Sequence, residues 1–370
     1  MKSLECFTRR FLDITLWLLC LVPLPPISQW KWLFIALVIR CCWIAYFVYL
    51  LKVGISFSSI AVESVGNIVG TALFIGNSVL GLMLLLESVL KQRTHSQLED
   101  LRFQSELQLQ RLGMFGRRRQ AEYLLPLIGV QLTCDVTRVF INNKETVSPV
   151  FHISLPLMWL LRFRYVQLVQ HVMDLNQRSL QLRRSLLSLA SGNDLWQPFG
   201  VHECRQLQTL RSTYERIFEC YEMFSDCYGW GILGLHLLSS FQFVTNAYWM
   251  IMGMYDGEDL RIMIFNGATG IDFGSPIATL FYHGDSGSVN GRQIGCLISK
   301  LVKPQGSKRY NDLVSEFSLQ TLHQRFVVTA KDFFSLNLHL LSSMFAAVVT
   351  YLVILIQFMF AERSSRSTSG

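Results

Sequence analysis

The sequence predicts an all-α fold: a polytopic membrane protein with seven transmembrane helices and an attached cytosolic helical region. Three observations carry that prediction. Of the 370 residues, 51% are hydrophobic and only 16% charged, whereas a soluble domain carries about 25% charged residues. Apolar runs of about 20 residues recur along the chain, and at about 1.5 Å per residue each can cross a hydrocarbon core of about 30 Å. Lys and Arg gather in alternate connections between those runs, as membrane topology requires. The net charge of +7 would suggest nucleic acid in a soluble protein; here topology accounts for it.

Residues 1–30 open with Lys2, Arg9 and Arg10 and contain an apolar run from Phe11 to Leu24, closed by Pro23, Pro25 and Pro26. That run is too short to span, and no small-residue cleavage site follows it. A re-entrant or interfacial helix is expected there. Four spans follow within 31–170: Lys31 to Leu51, Val65 to Leu86, Ala121 to Ile141 and Val150 to Val169. Two more lie within 229–283, from Gly229 to Met252 and from Ile262 to Tyr282, and the seventh runs from Leu338 to Phe360. With the N-terminus inside, segments 1–30, 88–120, 171–228 and 284–337 are cytoplasmic and hold 23 Lys and Arg. Segments 52–65, 142–149, 254–260 and the tail 361–370 are outside and hold four. The expected layout is a cytoplasmic N-terminus and an extracellular C-terminus.

The long inner segments keep helical periodicity. Val166, Val169, Met173, Leu180 and Leu187 recur on one face from Arg162 to Leu189, which predicts a fourth span running on into 171–228. Ser191-Gly192-Asn193-Asp194 predicts a turn. His202 to Asp226 is again periodic and leads directly into the fifth span. Gly284 to Arg309, rich in Gly, Ser and Lys, predicts a flexible loop, and Asp312 to Phe334 a helix.

Several chemistries are excluded. The nine cysteines and eight histidines show neither metal-ligand spacing nor a disulfide framework. No Asn-x-Ser/Thr sequon is present. Asp272-Phe273-Gly274 imitates a kinase triplet, but it lies in an apolar span without the accompanying loops. Gly66-x-x-x-Gly70 and Gly270-x-x-x-Gly274 permit close helix contact. No nucleophile–base constellation is present, so neither an enzyme nor a cofactor or metal is expected.

The last span carries the most specific pattern. At about 100° per residue, Thr350, Ile354, Gln357 and Ala361 fall on one stripe, with Tyr351, Leu355 and Phe358 beside it. A lone Gln in hydrocarbon is costly, so Gln357 should face protein or a pore. Thr350-Tyr351, five apolar residues and Gln357-Phe358 at the end of a final span resemble the signature of the insect gustatory receptor family, relatives of the insect odorant receptors. That resemblance implies a taste receptor in the plasma membrane of chemosensory neurons. It also implies a ligand-gated, non-selective cation channel in which four subunits, of one kind or mixed, assemble through cytosolic anchor helices around a central pore. The family's gate positions carry over to Ile354 and Gln357, with Ile354 closing the pore by dewetting and Gln357 forming a neutral ring.

The expected ligand is a small-molecule tastant held in the outer half of the bundle. Candidate contacts are Asn77 on the second span, Asp135 and Arg138 on the third and Trp159 on the fourth. Gln242, Asn246 and Trp249 on the fifth and Asn266 and Asp272 on the sixth complete the set. A charge at mid-bilayer costs about 2.5–3.5 kcal/mol on insertion scales, so Asp135, Arg138 and Asp272 should face the interior. Asp135 and Arg138 stand at pairing distance on one helix. The polar residues serve equally as interhelical bonds and interfacial anchors. A metabotropic, G-protein-coupled receptor is the alternative, with a transporter behind it. The inside N-terminus and the absence of Pro in the last span count against the first, and the lack of an internal repeat against the second.

Overall fold

A computed structural model describes residues 2–25, 27–60, 65–113, 120–142, 149–191, 201–256, 260–301 and 308–368. Among these, the regular elements are α-helices, one short 3-10 turn and one isolated β-bridge. The helices are α1 (Lys2–Leu18), α2 (Trp30–Ile60), α3 (Val65–Leu90), α4 (Gln92–Arg111), α5 (Gln120–Asn142), α6 (Pro149–Ser191), α7 (Val201–Asp256), α8 (Leu260–Ser299), α9 (Lys308–His323) and α10 (Leu338–Thr368).

Four of the described helices are apolar and long enough to cross a membrane, within Trp30–Phe57, Ile68–Leu90, Glu122–Ile141 and Leu338–Phe358. The other three expected spans lie in α6, α7 and α8. Their hydropathy is diluted by polar side chains that the bundle buries, among them Arg162, Arg164, His236, Gln242 and Asp272. α6 is the central helix. Every residue from Leu161 to Val169 is buried, and α6 touches α1, α3, α4, α5, α7 and α8. As its periodicity predicts, α6 passes Val169 without a break, and α7 runs as one helix through both His202 and Asp226 into the fifth expected span. α6 stops at Ser191; the rest of the expected turn, 192–194, lies outside the described residues. All nine cysteines are free.

Three expectations are corrected. The N-terminal helix occupies Lys2–Leu18 rather than Phe11 to Leu24. It is set by an i, i+4, i+8 stripe in which Thr8, Leu12 and Leu16 are buried while Phe7, Phe11, Ile14 and Leu18 stay exposed. It ends in a paired cap: Cys20 turns left-handed at φ 57°, its N–H bonding Trp17 O and that of Leu21 bonding Leu16 O, each at 3.0 Å.

The segment from Gly284 is not a flexible loop, because α8 continues to Ser299. Its glycines line one face. A Cβ at Gly284 would stand 2.8 Å from Leu336 O, one at Gly287 2.6 Å from Tyr221 Oη, and one at Gly291 3.3 Å from Phe326 Cβ. Glycine here makes room for close approach, not for mobility. Residues 302–307 lie outside the described residues.

The helix expected from Asp312 to Phe334 begins at Lys308 and ends at His323. Beyond it, Phe326, Val328 and Ala330 are buried at every second residue, the period of an extended strand. The chain then reverses in a tight turn through Lys331 and Asp332, both left-handed at φ 48° and 60°, closed by the Thr329–Ser335 bridge. This hairpin sits between α9 and α10 and leans on Gly229, where a Cβ would meet Lys331 N at 2.8 Å.

Candidate functional site: the last helix and a buried ionic cluster

α10 is started by Asn337, whose Oδ1 accepts the N–H of Leu340 at 2.7 Å and caps the helix. Its first turns are held by the bundle. Leu340 and Leu341 pack on the core, Met344 Sδ lies 2.7 Å from His236 Nε2, and Phe345 meets Phe243 edge-on at 5.7 Å. From Val349 onward the contact fades. Tyr351, Ile354, Gln357 and Phe358 are exposed, and no residue of the most apolar stretch of α10 is buried within the chain. Thr350 Oγ1 bonds Ala346 O at 2.9 Å. Ala361 continues the helix, with its side chain outside the described ones.

Deeper in the bundle, four charges from three helices converge. Arg138 Nη2 on α5 lies 2.7 Å from Asp135 Oδ1 and 2.8 Å from Asp272 Oδ2 of α8. Arg162 on α6 completes the cluster, with Nη2 2.5 Å from Asp272 Oδ2 and Nη1 paired to Asp135 Oδ2. Two positive and two negative charges cancel. That is how four ionisable groups are tolerated in an apolar bundle, where a lone charge would cost several kcal/mol. Asp272 Oδ1 has no hydrogen-bond partner. The sequence pattern anticipates three of the four, including the Asp135–Arg138 pair. Arg162 lies inside the expected fourth span, but it also opens the periodic run from Arg162 to Leu189, whose basic residues read as the polar face of a helix. The usable signal is depth: Arg162 follows an apolar run from Val150 too short to have crossed the bilayer.

The remaining ligand candidates are spread over α3, α6, α7 and α8. Asn77 is buried on α3, next to Ser78, whose Oγ bonds Phe74 O at 2.8 Å. On α7, Asn246 Nδ2 donates to Gln242 O at 2.6 Å, and Gln242 Oε1 has no partner. Asn266 is half-buried on α8. Trp159 and Trp249 are 38% and 40% exposed, each beside an aromatic neighbour, Phe163 at 5.9 Å and Tyr248 at 5.5 Å. These two indoles lie on the outside of the bundle. A second buried network has no counterpart in the sequence pattern. Glu87 Oε1 on α3 accepts the N–H of Gly231 at 3.1 Å, and Oε2 pairs with the fully buried Arg164, which also lies over the Tyr228 ring at 4.8 Å.

Known proteins resemble this chain over most of its length. The profile of the 7tm Chemosensory receptor family matches residues 14–362. Gustatory receptor 23a of Drosophila melanogaster is 45% identical over 259 residues, 67% of this chain and 68% of that protein. Putative gustatory receptor 39b of the same organism is 28% identical over 158 residues, 41% of this chain and 42% of that protein. Among solved structures, the insect olfactory receptor OR5 from Machilis hrabei superposes with a TM-score of 0.70 at 14% identity, covering 96% of this chain and 99% of that one. The same receptor in complex with eugenol gives 0.62 at 15% identity, covering 95% and 98%. At that identity the likeness establishes the fold. The chain therefore belongs to the insect gustatory receptors within the 7tm chemosensory receptor family, and is a multi-pass membrane receptor rather than an enzyme.

Proposed function

We propose that this receptor is a ligand-gated, non-selective cation channel, assembled from four subunits around their α10 helices and opened by an external tastant. The observation that carries the reading is the isolation of α10. It is among the most apolar helices of the chain, yet none of its most apolar stretch is buried by its own bundle, and it bears Thr350 and Gln357. A helix packed mainly on lipid has no use for a Gln. Four copies around an axis would give each Gln357 polar company and water. On this reading Ile354 closes the pore as an apolar ring, and Gln357 lines it as a neutral one, which suits weak selectivity. Thr350 and Ala361 continue the same stripe.

The charge distribution supports a cytoplasmic N-terminus and an extracellular C-terminus, and membership of the gustatory receptors supports placement in the plasma membrane of a chemosensory neuron. The inner parts of α6, α7 and α8 with α9 would form the anchor through which subunits meet. The ligand is a small organic molecule; the structural neighbour OR5 is itself known in complex with eugenol. It enters the outer half of the bundle near Asn77, Gln242, Asn246 and Asn266, and acts by binding the open arrangement more tightly than the closed one.

Current recording from cells expressing the chain, against a tastant panel, tests this. Ligand-gated current independent of G proteins is expected. Ile354→Ala should raise resting current at least several-fold, and Gln357→Glu should raise the permeability of divalent over monovalent cations. Responses that require a G protein, with no current of their own, would make the receptor metabotropic.

A further inference from the structure

Two cavities meet where the N-terminal helix approaches the start of α2. The first, of about 560 Å3, lies between α1, α4 and α6 and is polar: Arg9, Glu99, Arg102, His171, Asp174 and Arg178 are among its walls. The second, of about 670 Å3, is apolar and runs between α1 and the start of α2, lined by Ile14, Trp17, Pro25 and Trp32. They share Asp13, Val22 and Pro23. The polar chamber and the apolar groove thus lie side by side, with these three residues bordering both.

The polar chamber is charge-balanced, and two of its guanidiniums keep spare donors that are buried in its wall. Arg102 Nη1 bonds Glu99 Oε1 and His171 Nδ1, each at 2.8 Å. Arg178 Nη2 pairs with Asp174 at 2.8 Å, and burial pushes the Asp13 carboxyl above its ordinary value, with Arg9 opposing it. Burial depresses His95 to about 4 and His171 well below its ordinary value, so both imidazoles are neutral. Yet Arg102, 4% exposed, keeps Nε and Nη2 without partners, and Arg178, 5% exposed, keeps Nε. Buried guanidinium N–H groups without acceptors are costly, and a phosphate oxygen is the acceptor they match best. On the other side, Glu99 has a half-exposed carboxylate, suited to an ammonium.

The groove has the character of a bilayer interface. Trp17 and Trp32 meet edge-on at 6.0 Å, Lys31 Nζ lies 5.8 Å over the Trp30 ring, and Phe11 and Ile14 are exposed on α1. Indoles and Lys at the end of an apolar span mark headgroup depth.

We infer that the paired cavities hold one zwitterionic glycerophospholipid, its phosphate at Arg102 and Arg178, its ammonium at Glu99 and Asp13, and an acyl chain along the Trp17–Trp32 groove. This rests on the membrane placement of α2 and not on the channel reading. The lipid would brace α1 against α4 and α6.

The test is photocrosslinking of the 370-residue chain in phosphatidylglycerol vesicles doped with a diazirine-acyl phosphatidylethanolamine, with adducts mapped by peptide mass spectrometry. Adducts should concentrate in peptides containing Trp17 and Trp32, and unlabelled phosphatidylethanolamine should compete at least five-fold better than phosphatidylglycerol. Ser96→Trp, which fills the mouth of the polar chamber, and Trp32→Ala, which strips the groove, should each cut yield at least five-fold while the protein stays monodisperse. Adducts spread evenly over the lipid-exposed spans, or unchanged in both variants, would overturn the site. Equal competition by phosphatidylglycerol would overturn the zwitterionic headgroup, and competition by soluble phosphoethanolamine as strong as by the lipid would overturn the acyl half.

Discussion

A single charge cannot be removed from the Asp135–Arg138–Arg162–Asp272 cluster without stranding another in the bundle. Asp272→Asn leaves an excess positive charge on two buried guanidiniums, and breaking such a pair costs about 3–5 kcal/mol. The expected outcome is loss of surface expression and a clearly lower melting temperature in detergent. Asp272→Asn combined with Arg162→Gln restores neutrality and should recover part of that loss, which thermal melts of purified protein would read out. Asp226 gives a pH-dependent counterpart outside the spans. Hydrogen bonds from Lys331 and from Lys91 hold its carboxyl below the ordinary value. Its folded pKa is depressed, so the stability it contributes is present above about pH 4, the unfolded value, and is lost as the pH falls through the folded one. Asp226→Asn should therefore lower the melting temperature at pH 7, with the gap to wild type closing below about pH 4. At this scale the cost of burying charge makes Asp135, Arg138 and Asp272 legible in the sequence. Arg162 and Arg164 fall in the expected fourth span too, but they open a periodic run whose other basic residues lie in the inner extension, and periodicity alone does not separate the two.

The elements behave according to what packs against them. Gly284→Ala forces a methyl against Leu336 Cβ at 2.7 Å and against backbone oxygen at 2.8 Å, and overpacking of this kind costs about 1–3 kcal/mol. Gly70, where an added methyl would meet nothing within 4 Å, is the control: Gly70→Ala should be neutral or stabilising by about 0.5–1 kcal/mol. Opposite shifts in melting temperature from one chemical change would separate close packing from flexibility as the reason for glycine. Phe326 is fully buried and stacks on Tyr221 at 5.2 Å and Tyr214 at 4.6 Å. Phe326→Ala should cost about 3–5 kcal/mol. The alternation of Phe326, Val328 and Ala330 is visible in the sequence, but the helical run before it masks a three-residue pattern. Gly-rich composition likewise reads as a loop until a partner surface explains each missing side chain.

For the whole molecule, a bundle that leaves its last helix uncovered predicts association. Purified receptor should run as a tetramer by native mass spectrometry. An N-terminal epitope should stay inaccessible on intact cells and a C-terminal one accessible; the reverse would invert the proposed orientation. The hairpin between α9 and α10 leans on α7 at Gly229 and on α8 through Leu336 at Gly284, so movements of those helices reach the base of α10 through backbone contact.

The sequence by itself determined what depends on composition and period. These are the all-α membrane class, four apolar helices long enough to span, the family signature from Thr350 to Phe358 and the need to keep Asp135, Arg138 and Asp272 out of lipid. Hydrophobic length and the cost of burying charge are properties of residues wherever they fold. Tertiary structure decided which helix is central, that Arg162 closes the ionic cluster, that the glycines of α8 form a packing face, and that α10 stands apart from its own bundle from Val349 onward. Those facts depend on which surfaces meet, and contact between residues 134 positions apart, such as Arg138 and Asp272, leaves no local trace in the chain.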